Sequence, residues 1–255
     1  MAKLIGTAPN QVPTNADLGT MAYLDYDAII APLGTYTTSG LYSYWDVSSG
    51  DSYSGLGNTL FDLAGNQNLT NSGDIPDVRG YVNAKYFSQS AGNYPYWTAS
   101  NRNYGLGNVS IEMWAFTTGS TGDDYLCNFY SGTTTGQSRA FRINPILGFV
   151  GNGSSDQDQG SIATLTSNQW YQIVFTLSGY TNLVVYVNGV AVGSFTKSLN
   201  DGGGGGVNIG NTYWYGVNHA NVWKGGWAIS RFYTKTLSSG EVSANWDGTK
   251  KRFGL

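Results

Sequence analysis

The chain has 255 residues, of which 11% are charged, and its net charge at pH 7 is −3. Nucleic-acid binding is not expected, because contact with phosphates needs clustered Lys and Arg. Membrane insertion is not expected either, since no apolar run approaches the roughly 18 residues that cross a bilayer. The chain also contains 36 glycines, 19 tyrosines and 8 tryptophans, a mixture typical of short strands joined by tight turns.

The single cysteine, Cys127, excludes an internal disulfide and lies in an apolar run. We expect a buried, inert thiol there rather than a reactive one. Residues 1–6 lack the long apolar stretch of a secretory signal, so intracellular synthesis is the expectation. The basic residues at 250–252 are expected to form a solvated terminus.

The first 36 residues differ in composition from the rest of the chain. Pro9, Pro13 and Pro32 interrupt any strand or helix pattern. The apolar pieces at 21–24 and 28–31 are too short to form a core. We therefore predict an arm over residues 1–36, ordered only against the body or a partner, with a disordered leader as the alternative. A single domain is predicted over residues 37–255.

Strand patterns dominate after residue 40. Residues 109–116 are apolar on both faces and are bounded by turn residues, which predicts a central strand. Asn188 and Gly189 separate the apolar runs 183–187 and 190–192. Because a type I′ turn needs positive φ at both central residues, Asn-Gly predicts a tight hairpin here.

The end of the chain predicts a strand followed by a helix. Residues 226–233 have a strand pattern, and Ser238 and Glu241 match a capping box ahead of Val242. Strands do not alternate with helices along the chain, and parallel strands need helical crossovers. We therefore predict an all-β fold: an antiparallel two-sheet β-sandwich with an extended N-terminal arm and one short C-terminal helix.

The order of these elements resembles that of laminin-G-like domains, which are jelly rolls of the concanavalin A-like kind. The resemblance covers roughly residues 38–255 and depends on element order more than on any single motif. It implies a concanavalin A-like jelly roll of the kind that serves as a lectin. The segments that carry it are 40–46, 61–66, 81–87, 109–116, 170–175, 183–192 and 226–233.

Both ends of the chain resemble virion proteins of tailed phages. Residues 6–20 are similar to a segment that recurs in phage tail-fibre proteins, and residues 251–255 are similar to the ends of phage jelly-roll proteins. This resemblance implies a virion structural protein, a tail fibre or capsid decoration, made in the host cytoplasm. Its expected partners are other virion subunits bound through the arm, further copies of itself and a host-surface glycan. A dedicated glycan-binding lectin is the alternative.

Glu112 is the one candidate for hydrolytic chemistry, because concanavalin A-like folds include glycosidases. Glycoside hydrolysis needs two carboxyl groups on either side of the sugar. The same-face positions after Glu112 hold Trp114 and Phe116 rather than a second acid. A glutamate at the sheet rim or bonded to a neighbour is therefore the preferred interpretation. No catalytic residue is assigned and no enzyme activity is expected, with a glycosidase as the last alternative.

Two acidic pairs lie in loops rich in Gly and Ser. Ca²⁺ prefers several carboxylate and carbonyl oxygens, and some laminin-G-like domains bind it at a loop rim. The sequence requires no cofactor, and it leaves two interpretations open, a Ca²⁺ site or solvated loops. The candidate metal ligands are Asp123, Asp124, Asp156 and Asp158.

The segment 211–223 is rich in aromatic and amide side chains. A sugar can stack its apolar face on Tyr or Trp while its hydroxyls pair with Asn or His. Packing between strands or at a subunit contact would use the same residue types, so both interpretations stay open. The candidate ligand-binding residues are Tyr213, Trp214, Tyr215, Asn218, His219 and Trp223.

Overall fold

A computed structural model describes the body of the chain and leaves residues 1–34 of the predicted arm outside the described part. Within that part, no helix has the length and apolar character of a membrane span. The described residues are 35–72, 77–88, 96–99, 107–118, 124–131, 138–144, 146–151, 157–179, 181–196, 205–210, 213–214, 217–218 and 223–255.

The described strands form two antiparallel sheets of eight strands each, as the sequence predicts for a sandwich. The first sheet has the order β14-β13-β12-β7-β18-β5-β4, with β1 also paired to β18. Its strands are β1 (Leu41–Asp46), β4 (Asp77–Tyr81), β5 (Ala84–Ser88), β7 (Val109–Thr117), β12 (Trp170–Ser178), β13 (Asn182–Val187), β14 (Val190–Thr196) and β18 (Gly225–Tyr233).

The second sheet has the order β11-β10-β9-β8-β15-β6-β3-β2. A separate short hairpin pairs β16 (Tyr213–Trp214) with β17 (Val217–Asn218). The strands of the second sheet are β2 (Thr59–Leu60), β3 (Leu69–Ser72), β6 (Tyr96–Ala99), β8 (Asp124–Ser131), β9 (Ser138–Asn144), β10 (Ile146–Gly151), β11 (Gln157–Thr164) and β15 (Gly205–Ile209).

Strand β7 is central, as predicted, because it pairs with β12 on one side and β18 on the other. Its alternate residues Ile111 and Met113 belong to the core between the sheets. Successive side chains of a strand point to opposite faces, so Glu112 and Trp114 lie on the outer face of the first sheet. Cys127 is buried in the same inter-sheet core, which agrees with the prediction of a buried thiol.

The Asn-Gly hairpin is confirmed. Asn188 and Gly189 have φ of 52° and 79°, and they join β13 to β14, which pair in antiparallel register. Positive φ at both positions is the requirement of a type I′ turn. The dipeptide therefore fixes which residues of the two strands face the core.

The predicted C-terminal helix is α1 (Ser239–Thr249). Ser238 accepts a hydrogen bond from the Glu241 amide, and the Glu241 side chain accepts one from the Ser238 amide, which completes the capping box. Helix α1 and the 3₁₀ turn Lys250–Phe253 cover the outer face of the first sheet. Phe253 stacks on Trp114 there, with ring centroids 4.4 Å apart.

The expectation of a solvated basic terminus is wrong for Arg252. Its side chain is 2% exposed and donates to both carboxylate oxygens of Asp46 in β1, at 2.7 and 2.9 Å. Tyr44 donates to the same carboxylate at 2.9 Å. A buried guanidinium needs a paired charge. Because the partner carboxylate belongs to β1, the end of the chain must fold back onto the first sheet for Arg252 to contact it.

The described chain begins in contact with α1. Thr37 N donates to Asn245 Oδ1 at 2.7 Å, and the Tyr36 ring lies over the Arg231 guanidinium at 4.4 Å. A Cβ at Gly248 would lie 1.9 Å from the Thr35 carbonyl oxygen, so this approach requires glycine. The end of the predicted arm is thus positioned on the side of the first sheet that α1 covers.

Substitution of Asp46 by Asn should destabilise the fold by about 3 kcal/mol at pH 7, because it leaves Arg252 buried and unpaired. Burial alone would raise the pKa of Asp46, but Arg252 and the hydrogen bonds of Arg252, Ser48 and Tyr44 outweigh it and hold that pKa below its usual value. In acid, the unfolded chain therefore binds more protons than the folded chain. The contribution of the ion pair to the free energy of unfolding is lost as the pH falls below about 4.

Urea unfolding from pH 7 to pH 3 measures this effect. The difference in free energy of unfolding between wild type and Asp46→Asn should become smaller below about pH 4. Asp247→Asn is the control, because the Asp247 side chain is 61% exposed and pairs with Lys250 at the surface. Equal stability of the two variants at pH 7 would contradict the assignment.

Candidate functional site

Glu112 is fully buried beneath α1 and is bonded to four side chains. Oε1 accepts hydrogen bonds from Trp114 Nε1 at 3.0 Å, Gln172 Nε2 at 3.0 Å and Arg231 Nη1 at 2.9 Å. Oε2 accepts one from Asn245 Nδ2 at 2.7 Å. The carboxylate faces away from the second sheet. Because Glu112 is 0% exposed, its carboxylate is enclosed by its hydrogen-bonding partners and is not accessible from solvent.

The buried tyrosines near this network remain protonated. Burial and the nearby Glu112 charge raise the pKa of Tyr233, whose hydroxyl oxygen accepts a hydrogen bond from Asn245 Nδ2 at 3.0 Å. Burial and Asp46 likewise raise the pKa of Tyr44. The sequence patterns did not indicate Arg231, Asn245 or Arg252 as partners of these groups, because no motif links them.

The segment with the predicted sugar-binding residues begins and ends at adjacent points of the structure. Gly210 N donates to Leu126 O of β8 at 2.8 Å, and Trp223 N donates to Gly210 O at 3.1 Å. The two residues that flank the segment 211–222, Gly210 and Trp223, are therefore adjacent at the end of β15. We call residues 211–222 the aromatic loop.

Trp223 differs from the other predicted ligand-binding residues. Its side chain is 2% exposed, packs in the core between the sheets and donates from Nε1 to Gly226 O at 3.3 Å. We therefore leave it out of the candidate binding surface and interpret it as the core contact at the base of the aromatic loop. Tyr213, Trp214 and Asn218 lie in β16 and β17 with side chains outside the described part, and Tyr215 and His219 are also outside it.

The loop that carries Asp123 and Asp124 is adjacent to the aromatic loop. It joins the end of β7 to the start of β8, and Asp124 is the first residue of β8. On the β7 side, Thr118 Oγ1 donates to Lys224 O, just beyond the aromatic loop. On the β8 side, Leu126 O accepts from Gly210 N. The described residues that flank 119–123 are thus hydrogen-bonded to those that flank the aromatic loop.

The second acidic pair lies elsewhere. In the second sheet, Asp124 of β8 is paired with Ile143 of β9, and Ile143 is paired with Leu147 of β10. Leu147 is paired with Ala163 of β11, whereas Asp158 is paired with Val150, towards the other end of that strand. The two pairs therefore do not converge on one ion, and the described residues contain no cluster of three or more His, Cys, Asp or Glu that could hold a metal. Asp123 and Asp156 lie outside the described residues.

Several solved structures share this fold. Domain 4 of AbnA, a GH43 extracellular arabinanase from Geobacillus stearothermophilus in complex with arabinotriose, has a TM-score of 0.61 at 16% identity, over 81% of this chain and 98% of that one. The binding domain of botulinum neurotoxin DC in complex with SialylT has a TM-score of 0.58 at 14% identity, over 82% of this chain and 51% of that one.

A Trypanosoma rangeli sialidase in complex with 2,3-difluorosialic acid has a TM-score of 0.60 at 13% identity, over 87% of this chain and 36% of that one. The chain thus spans about half of the toxin chain and about a third of the sialidase chain. At such identities the likeness concerns the fold alone.

No curated protein is similar enough in sequence to match the chain. The sequence profile described as the concanavalin A-like lectin/glucanases superfamily, Laminin_G_3, matches residues 89–243, which is more than half of the chain. The two antiparallel sheets and the single C-terminal helix agree with that fold. The chain therefore belongs to the concanavalin A-like lectin/glucanases superfamily.

Proposed function

We propose that this chain is a non-catalytic glycan-binding module of a phage virion. The observation that carries the glycan-binding part is that the described residues flanking two loops are hydrogen-bonded to one another where both loops connect the two sheets. One is the aromatic loop, with Tyr213, Trp214, Tyr215, Asn218 and His219, and the other contains Asp123. Ring faces for stacking next to amide and carboxylate groups are the combination that sugars require.

Two of the solved structures that share the fold support the proposal of a sugar as the ligand. The arabinanase domain is described in complex with arabinotriose, and the neurotoxin binding domain in complex with SialylT. A binding role also agrees with the environment of Glu112, because a carboxylate that accepts four buried hydrogen bonds is not available to protonate a leaving group. We therefore propose binding without hydrolysis.

Ca²⁺ is proposed as an optional component of this site. Asp123 and Asp124 would supply carboxylate oxygens, and loop carbonyls would supply the remaining ligands. Asp158 belongs to a different part of the second sheet and would contribute to a separate site. The binding test is therefore also carried out in the presence of a chelator.

A glycan array with the full chain tests this proposal, with added Ca²⁺ and with EDTA in parallel. We expect binding to at least one glycan class. The double substitution Tyr213→Ala and Trp214→Ala should weaken it by about tenfold or more, because it removes the stacking faces. Tyr81→Leu, an exposed aromatic on the first sheet, is the control and should bind like wild type. Absence of binding to every glycan in both conditions would leave only the structural role.

The virion part of the proposal is supported by the arm. Its residues 6–20 resemble tail-fibre segments, and residues 35–37 contact α1 on the outer face of the first sheet. The two candidate loops connect the two sheets, from β7 to β8 and from β15 to β18. An arm attached to other virion subunits, or to further copies of this chain, would therefore leave the glycan-binding loops accessible to a host surface.

Deletion of residues 1–34 tests this arrangement, since it retains the contacts of Tyr36 and Thr37 with the body. The shortened protein should keep the thermal stability of the full chain and should be absent from purified particles assembled in its presence. Quantitative mass spectrometry of those particles gives the measurement. Incorporation at the level of the full chain would contradict the attachment role.

A further inference from the structure

Strand β4 lies at one edge of the first sheet, and among the described strands it is paired with β5 alone. All five of its residues, Asp77–Tyr81, are exposed. An edge strand presents unpaired N–H and C=O groups, which makes it a template for pairing with another chain. Proteins usually cover or blunt such an edge, so a fully exposed one calls for a physical explanation.

The hairpin that contains β4 also exposes apolar side chains. Val78 is 39% exposed, Tyr81 37% and Val82 64%. A fourth exposed apolar residue, Leu255, directly follows Gly254, which lies against Val82. These four are half of the eight large apolar side chains that are exposed in the described part of the chain. Exposed apolar residues gathered at one place are typical of an interface between proteins.

The register of the hairpin shows which backbone groups of β4 point outward. A two-residue turn follows Tyr81, so Tyr81 and its partner in β5 form a hydrogen-bonded pair, and such pairs alternate along an antiparallel ladder. Gly80 and Val78 therefore direct their N–H and C=O groups away from β5. Lys85, which is paired with Gly80, agrees with this pattern, because its N–H donates to Ser48 Oγ at 2.6 Å.

Two opposite charges lie on either side of Val78. Asp77 and Arg79 are on the same face of β4, with Arg79 Nη2 3.7 Å from Asp77 Oδ2. Their side chains are 79% and 60% exposed, and an ion pair this exposed contributes little to the stability of one chain. Both side chains are therefore accessible to charges on a second molecule.

The sequence of β4 is complementary to itself. Residues that are directly opposite in an antiparallel pair point to the same face, so a twofold-symmetric pair of identical strands is centred on one residue. A centre at Asp77 or at Arg79 places two like charges opposite each other, which is destabilising. A centre at Gly80 pairs no opposite charges. A centre at Val78 places Asp77 of each copy opposite Arg79 of the other, and it pairs the outward N–H and C=O groups of the two Val78 residues.

We propose that two copies of this chain associate through β4, in antiparallel register about Val78, so that their first sheets become continuous. Asp77 of each copy contacts Arg79 of the other on the outer face. The two Val78 side chains pack together on the inner face, since Val78 is paired with the core residue Phe87. Pro76 has no N–H and keeps this ladder short, so the two charge pairs are essential to it. The contact uses neither the N-terminal arm nor the aromatic loop and is independent of the function proposed above.

Sedimentation velocity of the full chain and of charge-reversal variants tests this contact. Wild type should be a dimer. Asp77→Arg and Arg79→Asp should each raise the dissociation constant of the dimer by about tenfold or more, because each variant places two like-charge pairs across the strands. Asp51→Arg makes the same change of charge at another exposed position and should remain dimeric.

Mixing the two variants should restore the contact. In an equimolar mixture of Asp77→Arg and Arg79→Asp, each arginine of one chain is opposite an aspartate of the other, so heterodimers should form. The double variant that carries both reversals should dimerise like wild type for the same reason. Recovery in the mixture also shows that the single variants are folded, and their circular dichroism spectra should match that of wild type.

Amide hydrogen exchange locates the contact on the strand. The Val78 amide points away from β5, so it should exchange slowly in wild type and at least about tenfold faster in Asp77→Arg. The Arg79 amide is directed towards β5 and is the internal control, which should be equally protected in both proteins. A monomeric wild type at every concentration, an assembly whose mass Arg79→Asp leaves unchanged, or equal exchange of the Val78 amide in the two proteins would overturn the proposal.

Discussion

Two buried ion pairs lie beneath the C-terminal segment, and the arrangement of the rest of the molecule depends on them. One joins that segment to the first sheet, and the other lies within the sheet and is bonded to Asn245 and Thr249 of α1. Arg231 in β18 pairs with Glu112 in β7 at 2.9 Å, and Arg252 pairs with Asp46 in β1 at 2.7 Å. Each of these four side chains is at most 2% exposed. Charges this deeply buried are tolerated only when paired and hydrogen-bonded, so α1 and the 3₁₀ turn must close over the outer face of the first sheet.

This closure determines which surface can bind a ligand. With the outer face of the first sheet covered by α1, the proposed sugar-binding loops are the connections between the two sheets beside Gly210. The same closure removes Glu112 from solvent, which is why a family that includes glucanases can contain a member whose strand glutamate acts as a structural contact.

The fold was predictable because its signals are local, whereas the ion pairs were not. The Asn188-Gly189 turn, the Ser238 capping box and the pattern of β7 each occupy a few consecutive residues. The partners of Arg231 and Arg252 are 119 and 206 positions away in sequence, and no local pattern connects them. The aromatic loop was predicted as a segment, but the burial of Trp223 and the adjacency of the Asp123 loop depend on strand register.

The central claim is that the Glu112 carboxylate stabilises the fold and takes no part in hydrolysis. Urea unfolding of Glu112→Gln measures it most directly, with Glu241→Gln as a control that keeps a capping-box acceptor near the surface. The account predicts that Glu112→Gln lowers the free energy of unfolding by about 3 kcal/mol, since Arg231 is left buried without its counter-charge, while Glu241→Gln has little effect. Unchanged stability of Glu112→Gln, accompanied by loss of a polysaccharide-cleaving activity of the wild type, would contradict it.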